Sequence, residues 1–306
     1  MRILVVGAGA TGGYFGAKLA AAGRDVTFLV RKRRAAQIED RGLRITGQGD
    51  DHVLTPNLVT ADQFTGPYDL VLLSVKATAL LPAVEDLAPA VGPTTTIVPF
   101  LNGMAHMDVL NDRFGADRVL GCVVMVATTV TDDGDIVRLA PMQSITVGEQ
   151  DGGSSQRLSA VADVLGGAGF DFAVIDDVLS AMWSKWVFIT TVGAVTCLMR
   201  GTVGDVVAVP GGGDLGPALA DEGAAVAAAA GFPVPAEKLA ATKATVTAAG
   251  APTTSSLYRD LVSGQPTEGE HLFGDLIARA RALSVPTPLL DLATMHLRVH
   301  EHVISH

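Results

Sequence analysis

The sequence predicts two regions of different character: an α/β domain built on a parallel sheet over residues 1–176, then an all-α domain over residues 177–306. Three observations carry this. An apolar run, Ile3 to Val6, leads into a glycine-spaced turn followed by a helical pattern. Strand and helix patterns then alternate as far as about residue 175. Beyond Asp176 only helical patterns remain.

The opening MRILVVGAGATGGYFG places Gly7, Gly9 and Gly12 directly after a short buried strand. This is the GxGxxG spacing, in which the first glycine permits the turn, the second admits a pyrophosphate to the backbone and the third lets helix and strand pack closely. A helix over Ala17–Ala22 and a strand over Val26–Val30 complete a βαβ unit. The unit Gly7, Ala8, Gly9, Ala10, Thr11 and Gly12 is therefore assigned to a dinucleotide, in a Rossmann-type domain whose first helix points its positive end at the phosphates. At the end of the second strand an NAD site commonly presents a carboxylate to the ribose; here stands Arg31, followed by Lys32, Arg33 and Arg34. Arg31 can clamp a 2′-phosphate with charge-assisted bonds, which favours NADP(H).

Further along, a helix is expected at 32–40, strands at Leu43–Ile45 and Val53–Val59, a buried strand at Asp69–Val75 and a helix at 79–88. Thr95–Pro99 reads as the next strand and 106–114 as a helix. Short strands at Val119–Ala127, Ile136–Ala140 and Ser144–Gly148 suggest an antiparallel extension of the sheet, and a helix at 154–168 with a strand at Phe172–Ile175 closes the domain. The segments 177–200, 214–230, 235–249, 253–262, 267–283 and 288–303 read as helices, the fifth opened by a capping box from Thr267 to Glu270.

The formal net charge is −10, and no basic stripe exists beyond residues 31–34, which argues against nucleic-acid and anionic-membrane partners. No stretch reaches the uninterrupted apolar length of a bilayer crossing, and glycine interrupts the N-terminal apolar run too soon for a signal peptide. Cys122 and Cys197 are the only cysteines, without metal-type spacing, which fits a reduced cytoplasmic protein. His296, His300, His302 and His306 read as a solvated cluster rather than a metal site. A homodimer through the alanine-rich helices at 218–230 and 239–249 is allowed, and a monomer equally so.

Lys76 and Asn102 each follow a predicted strand at its carboxyl end, where open α/β sheets bind ligands. Lys185 lies in the apolar helix AMWSKWVFITTVGAVTCLM, with Ile189 and Gly193 on the same face. An amine in such surroundings has its charged form disfavoured and suits proton donation near neutral pH; a lysine snorkelling to water is the structural alternative. Glu268 stands in the first turn of a helix, where the dipole favours its ionised form, and Ser256 reads as a ligand hydroxyl or a cap.

Together these motifs resemble the ketopantoate reductase (2-dehydropantoate 2-reductase) family over essentially the whole chain. The resemblance rests on GAGATGGYFG, Arg31, Lys76 in SVKA, Asn102 in LNGM, the Trp183–Ser184–Lys185 motif, and Ser256 and Glu268 twelve residues apart. It implies reduction of the C2 ketone of ketopantoate by NADPH, giving pantoate for pantothenate and coenzyme A synthesis. Lys185 would be the proton donor and Glu268 the second catalytic residue, bonded to the substrate hydroxyl or to Lys185. Lys76 and Asn102, at the cofactor, would orient the substrate or the catalytic amine beside the nicotinamide, and Ser256 would contact the substrate carboxylate. The family carries two Asn residues one and two turns after the catalytic Lys; this chain has Ile189 and Gly193 there. The alternatives are therefore a paralogous NADPH-dependent reductase of another 2-oxo acid or a 3-hydroxyacid-type substrate, and a non-catalytic NADPH sensor.

Overall fold

The structure, a computed structural model, describes residues 1–306. The chain divides into two compact units, Met1–Leu101 with His106–Val178, and Asn102–Ala105 with Leu179–His306.

In the first unit the elements are β1 (Arg2–Val6), α1 (Ala10–Ala21), β2 (Asp25–Leu29), α2 (Lys32–Arg41), β3 (Leu43–Gly47), β4 (Asp50–Leu54), β5 (Asn57–Val59), β6 (Tyr68–Leu73), α3 (Leu80–Leu87), β7 (Val91–Pro99), α4 (Ala105–Phe114), β8 (Gly121–Val130), β9 (Ile136–Gly148), α5 (Gln156–Leu165) and β10 (Asp171–Val174). β1, β2, β5, β6 and β7 form a parallel sheet in the order β5-β2-β1-β6-β7. Fully buried Ile3, Leu4 and Val5 and fully buried Leu70–Leu73 make the central strands apolar on both faces, as a covered parallel sheet requires. The order reverses between β1 and β6, so the carboxyl ends of these strands flank a topological switch point.

The strands from 119 to 148 differ from the antiparallel extension expected. They build a second, mixed sheet in the order β10-β9-β3-β4, with β8 antiparallel to β9. β9 is parallel to β3 and β10 and runs unbroken through Pro141. The segment expected as one strand over Val53–Val59 is divided between the sheets, because Pro56, which has no N–H for the ladder, separates β4 from β5. Helix α1 packs against residues of both sheets. A side chain at Gly13 would strike Ile136 of β9, and one at Gly16 would lie 2.6 Å from the Phe28 ring of β2. Phe15 meets Phe100 and Phe170 edge-to-face at 5.7 and 5.0 Å.

One ionic network crosses this interior. Asp50 of β4 accepts from Lys18 of α1 and from Arg138 Nε of β9, both at 2.7 Å, and Tyr14 donates to Asp50 and to Gln143. Burial alone would raise the Asp50 carboxyl, but the hydrogen bonds and charges of Lys18 and Arg138 outweigh it and hold it below the usual carboxylate range. Burial, then the Asp50 charge, push the Tyr14 phenol up to about 12.

The second unit contains α6 (Val178–Met199), α7 (Val203–Val207), α8 (Gly212–Ala229), α9 (Ala236–Val246), α10 (Ser256–Val262), a π-helical segment (Glu270–Gly274), α11 (Asp275–Ala282) and α12 (Pro288–Ile304). By length and composition α6 is apolar enough to cross a membrane, although Lys185 interrupts its apolar run. Its most apolar window is 67% buried, the pattern of a core helix. Helix α7 was not anticipated; Thr202 and Asp205 close a capping box at its start. Part of the alanine-rich stretch open to a partner in the sequence reading is used within the chain, since Ala220, Gly223, Val226 and Ala227 of α8 are buried. Glu222 of α8 accepts from the backbone N–H groups of Leu289 and Leu290 at 2.9 Å, placing an anion on the positive end of α12.

The Asp50 network generates a stability prediction. Because its folded pKa is depressed, the contribution of Asp50 is fully present above the ordinary carboxylate range and is lost as pH falls through the lowered folded value. Asp50→Asn leaves Lys18 and Arg138 without their shared anion and is expected to cost about 3–5 kcal/mol in urea unfolding at pH 7. The variant should also show a shallower loss of stability than the wild type as pH falls below the ordinary carboxylate range.

Candidate functional site

In the first unit, the glycine loop has a shape that side chains would destroy. Gly7 adopts φ +96°, and a Cβ there would stand 2.5 Å from the Ser74 carbonyl oxygen, just past the end of β6. A Cβ at Gly12 would collide with the Gly7 carbonyl and come within 2.7 Å of Ser74 Cβ. Ser74 N–H donates to the Val6 carbonyl at 2.9 Å, so the ends of β1 and β6 are locked together. Gly9 differs from both: nothing lies within 4 Å of where its Cβ would be. It is the N-cap of α1, which has no side-chain cap and no acidic residue in its first turn. The first-turn N–H groups are thus offered to an outside anion across an open glycine face. These residues fit a dinucleotide pyrophosphate, with Gly7, Ala8, Gly9, Ala10, Thr11 and Gly12 as its cradle.

Lys76 and Arg31 both follow this turn in sequence, and both are exposed. Lys76 is exposed three residues past β6, at the start of a single 3₁₀ turn, and its carbonyl accepts from Ala79 N–H at 2.9 Å. Arg31 is exposed at the N-cap of α2. Arg34, one turn on, was not singled out in the sequence. It turns inward, and its Nε donates to the Ala8 carbonyl at 3.1 Å.

In the second unit, the π-helical segment is bonded at or beside three of the candidate residues. Trp186, next to Lys185, donates its indole N–H to the Leu272 carbonyl at 3.0 Å. Leu272 N–H in turn donates to the Glu268 carbonyl at 3.0 Å. His271 Nε2 lies 2.8 Å from the Asn102 carbonyl oxygen. Asn102, the neighbourhood of Lys185 and the backbone at Glu268 are therefore tied to one five-residue segment, and all three side chains are partly buried. His271 and Trp186 hold this arrangement, and π-bulges recur at functional sites.

Two local expectations are corrected. Thr267 does not form a capping box with Glu270. Its N–H and hydroxyl both donate to Glu301 of α12, at 2.7 and 2.8 Å, while Glu270 pairs with Arg298 of α12. The acid that reaches back to the Thr267 N–H comes from another helix, which leaves residues 270–274 free to wind as a π-helix. Ser256 is exposed as the first residue of α10, and the cap is Ser255, whose hydroxyl accepts from Tyr258 N–H at 2.9 Å.

The matches to known proteins agree with this layout. Residues 3–152 match the family model described as ketopantoate reductase PanE/ApbA, and residues 177–301 match the model of its C-terminal part. This chain belongs to the ketopantoate reductase family. It is 32% identical over 301 residues to an uncharacterized oxidoreductase, YkpB, of Bacillus subtilis (strain 168), covering 98% of this chain and 99% of that one. It superposes with a TM-score of 0.90, at 26% identity and full coverage of both chains, on the crystal structure of a PanE/ApbA family ketopantoate reductase from Ralstonia eutropha JMP134. A D-mandelate dehydrogenase, solved with NADH and anilino(oxo)acetate, shares the fold over both full chains with a TM-score of 0.89 at 20% identity. The ketopantoate reductase family is one of pyridine-nucleotide-dependent oxidoreductases.

Within this family member, the helix face beyond Lys185 carries Ile189 and Gly193. Ile189 is partly exposed, and a Cβ at Gly193 would stand 3.0 Å from Phe273 Cζ and 3.7 Å from Leu257 Cδ1. Phe273 is fully buried and comes from the π-helical segment. The space beside residue 193 thus belongs to an aromatic ring rather than to a polar side chain. Gly193→Asn is expected to destabilise the protein by about 1–3 kcal/mol in chemical denaturation, despite the better helix propensity of Asn, because it overpacks Phe273. Adding Phe273→Ala should cost less than the two single changes together, the signature of a shared space.

Proposed function

We propose that this chain is an NADPH-dependent reductase of a 2-oxo acid, with ketopantoate as the leading substrate and pantoate as product. The observation that carries the reading is that the Asn102 backbone, Trp186 beside Lys185 and the Glu268 backbone are all bonded to the π-helical segment, in a chain whose other unit bears a complete dinucleotide loop. A bound reduced nicotinamide supplies a hydride, two electrons and one hydrogen nucleus, to C2 of the ketone. The protein's work is to complete that reduction. As oxygen gains negative charge, the Lys185 ammonium stabilises it and transfers a proton, giving the 2-hydroxy acid. Glu268 binds the substrate hydroxyl or the Lys185 amine and so fixes the direction of transfer. Asn102 orients the substrate or that amine through its amide, while its carbonyl is held by His271. Ser256 contacts the substrate carboxylate, and Lys76 orients the substrate or the amine beside the nicotinamide. Arg31 supports the choice of NADPH, because an exposed cation follows β2 where a carboxylate would repel a 2′-phosphate.

A second reading is supported by one specific observation. Ile189, and Phe273 filling the space at Gly193, favour a 2-oxo acid whose body is less polar than that of ketopantoate. The two readings share every catalytic residue and differ only in the substrate's far end.

Steady-state kinetics with ketopantoate and with a panel of apolar 2-oxo acids, each with NADPH and NADH, separate them. The leading reading expects the highest kcat/KM for ketopantoate with NADPH; a preference for an apolar acid transfers the assignment to the second. In either case Lys185→Ala should lower kcat by about 10²–10⁴-fold, the contribution typical of general acid catalysis. Unchanged turnover in that variant would remove Lys185 from the chemistry.

A further inference from the structure

Four basic residues follow β2, yet one of them is built into the dinucleotide loop. Arg34 Nε donates to the Ala8 carbonyl at 3.1 Å, and its Nη1 donates to Gln37 Oε1 at 2.7 Å. Its Nη2 is buried without a hydrogen-bond partner. In a guanidinium group Nε–H and Nη2 share one edge, so this remaining donor lies on the edge that faces the loop. The other side of the group is closed by the β8–β9 turn. A Cβ at Gly134 would strike Nη1, and Gln37 Nε2 donates to the Asp133 carbonyl at 2.7 Å. Arg41 of the same helix pairs with Asp133 at 3.3 Å. Desolvation lowers the Arg34 pKa from its ordinary value, opposed by the charge of Asp135.

The bond to Ala8 has a directional consequence. A trans peptide points its C=O and the following N–H in opposite directions. Holding the Ala8 carbonyl toward Arg34 therefore aims the Gly9 N–H the other way. Gly9 is also the position with nothing within 4 Å of its missing side chain.

From this geometry we infer that Arg34 is a positioning residue for the cofactor pyrophosphate. It fixes the Ala8–Gly9 peptide so that the Gly9 N–H is already oriented as a phosphate donor, and it adds a desolvated positive charge behind the loop. This rests on the proposed reading of the chain as a dinucleotide-dependent reductase. It divides the labour among the basic residues: Arg31 reads the 2′-phosphate, whereas Arg34 serves the pyrophosphate that NADPH and NADH share. Preorganisation of this kind strengthens binding without making a contact of its own.

The test is equilibrium binding of ADP-ribose, NADH and NADPH to wild type, Arg34→Ala, Arg34→Lys and Arg31→Ala, by calorimetry or fluorescence, with the melting temperature of each unliganded variant recorded. Arg34→Ala is expected to weaken all three ligands by the same factor, on the order of tenfold, as loss of a charge-assisted hydrogen bond predicts. Arg34→Lys, which keeps one charged donor, should recover part of that loss. Arg31→Ala should weaken NADPH alone. With the enzyme's best substrate, Arg34→Ala should raise the KM for the cofactor and leave kcat little changed, a split that general loosening of the fold would not give. A loss confined to NADPH would overturn the inference, because Arg34 would then be reading the 2′-phosphate. Equal affinities for wild type and a folded Arg34→Ala would overturn it too. If Arg34→Ala does not fold, Arg34→Lys carries the test, and equal loss across the three ligands is again required. A wild type that binds none of the ligands would instead bring down the dinucleotide reading itself.

Discussion

Close approach of backbone to backbone at the end of β1 is the constraint on which the first unit is built. Gly7 and Gly12 lie against Ser74 so tightly that neither has room for a Cβ, while Gly13 and Gly16 let α1 settle against Ile136 on one side and Phe28 on the other. The helix is thin along the faces where it meets the two sheets and thick where Phe15 fills the aromatic cluster with Phe100 and Phe170. Thinness has a functional result, because it brings the free end of α1 to the switch point between β1 and β6 with its N–H groups unspent. Dense packing elsewhere along the helix supplies rigidity, so that an anion meets donors already fixed in place.

The second unit solves a different problem with a different device. Residues distant in sequence must share one neighbourhood, and a regular helix would present only one face at a fixed pitch. The π-helical segment breaks that pitch and offers Leu272 to Trp186, His271 to the Asn102 loop and Phe273 to Gly193. It is held from behind by α12, through Glu301 on Thr267 and Arg298 on Glu270. The bonds between Thr267 and Glu301 shelter a buried threonine, whereas the Arg298–Glu270 pair is exposed and contributes little by itself. Positioning here comes from several modest bonds that converge, not from one strong one.

Much of this was legible in the residues. The glycine spacing, the apolar runs of β1 and β6 and the alternation of patterns gave the parallel sheet, because burial on both faces leaves a continuous apolar signature. Lys185 stood out as a charge in an apolar helix, and Asn102 as a polar residue at a strand end. The second sheet was harder to read. β3 pairs with β9, whose residues lie some ninety positions later, and nothing local distinguishes a strand that joins the main sheet from one that joins another. The capping signature at Thr267 differs from the structure for a related reason: the motif is present, but Glu301 of α12, remote in sequence, takes the same N–H.

The sequence by itself determined the fold class and the dinucleotide turn, since a GxGxxG turn after a buried strand carries its physics locally. Which of four consecutive basic residues enters the loop, which of two adjacent serines caps α10, and what occupies the space beside Gly193 were decided only by the tertiary structure. Those choices depend on partners from remote segments: the Ala8 carbonyl and the Gly134 turn for Arg34, Thr196 for Ser255, and the π-helical Phe273 for Gly193. Local pattern fixes what a residue can do; the elements packed around it fix which of several equivalent residues does it.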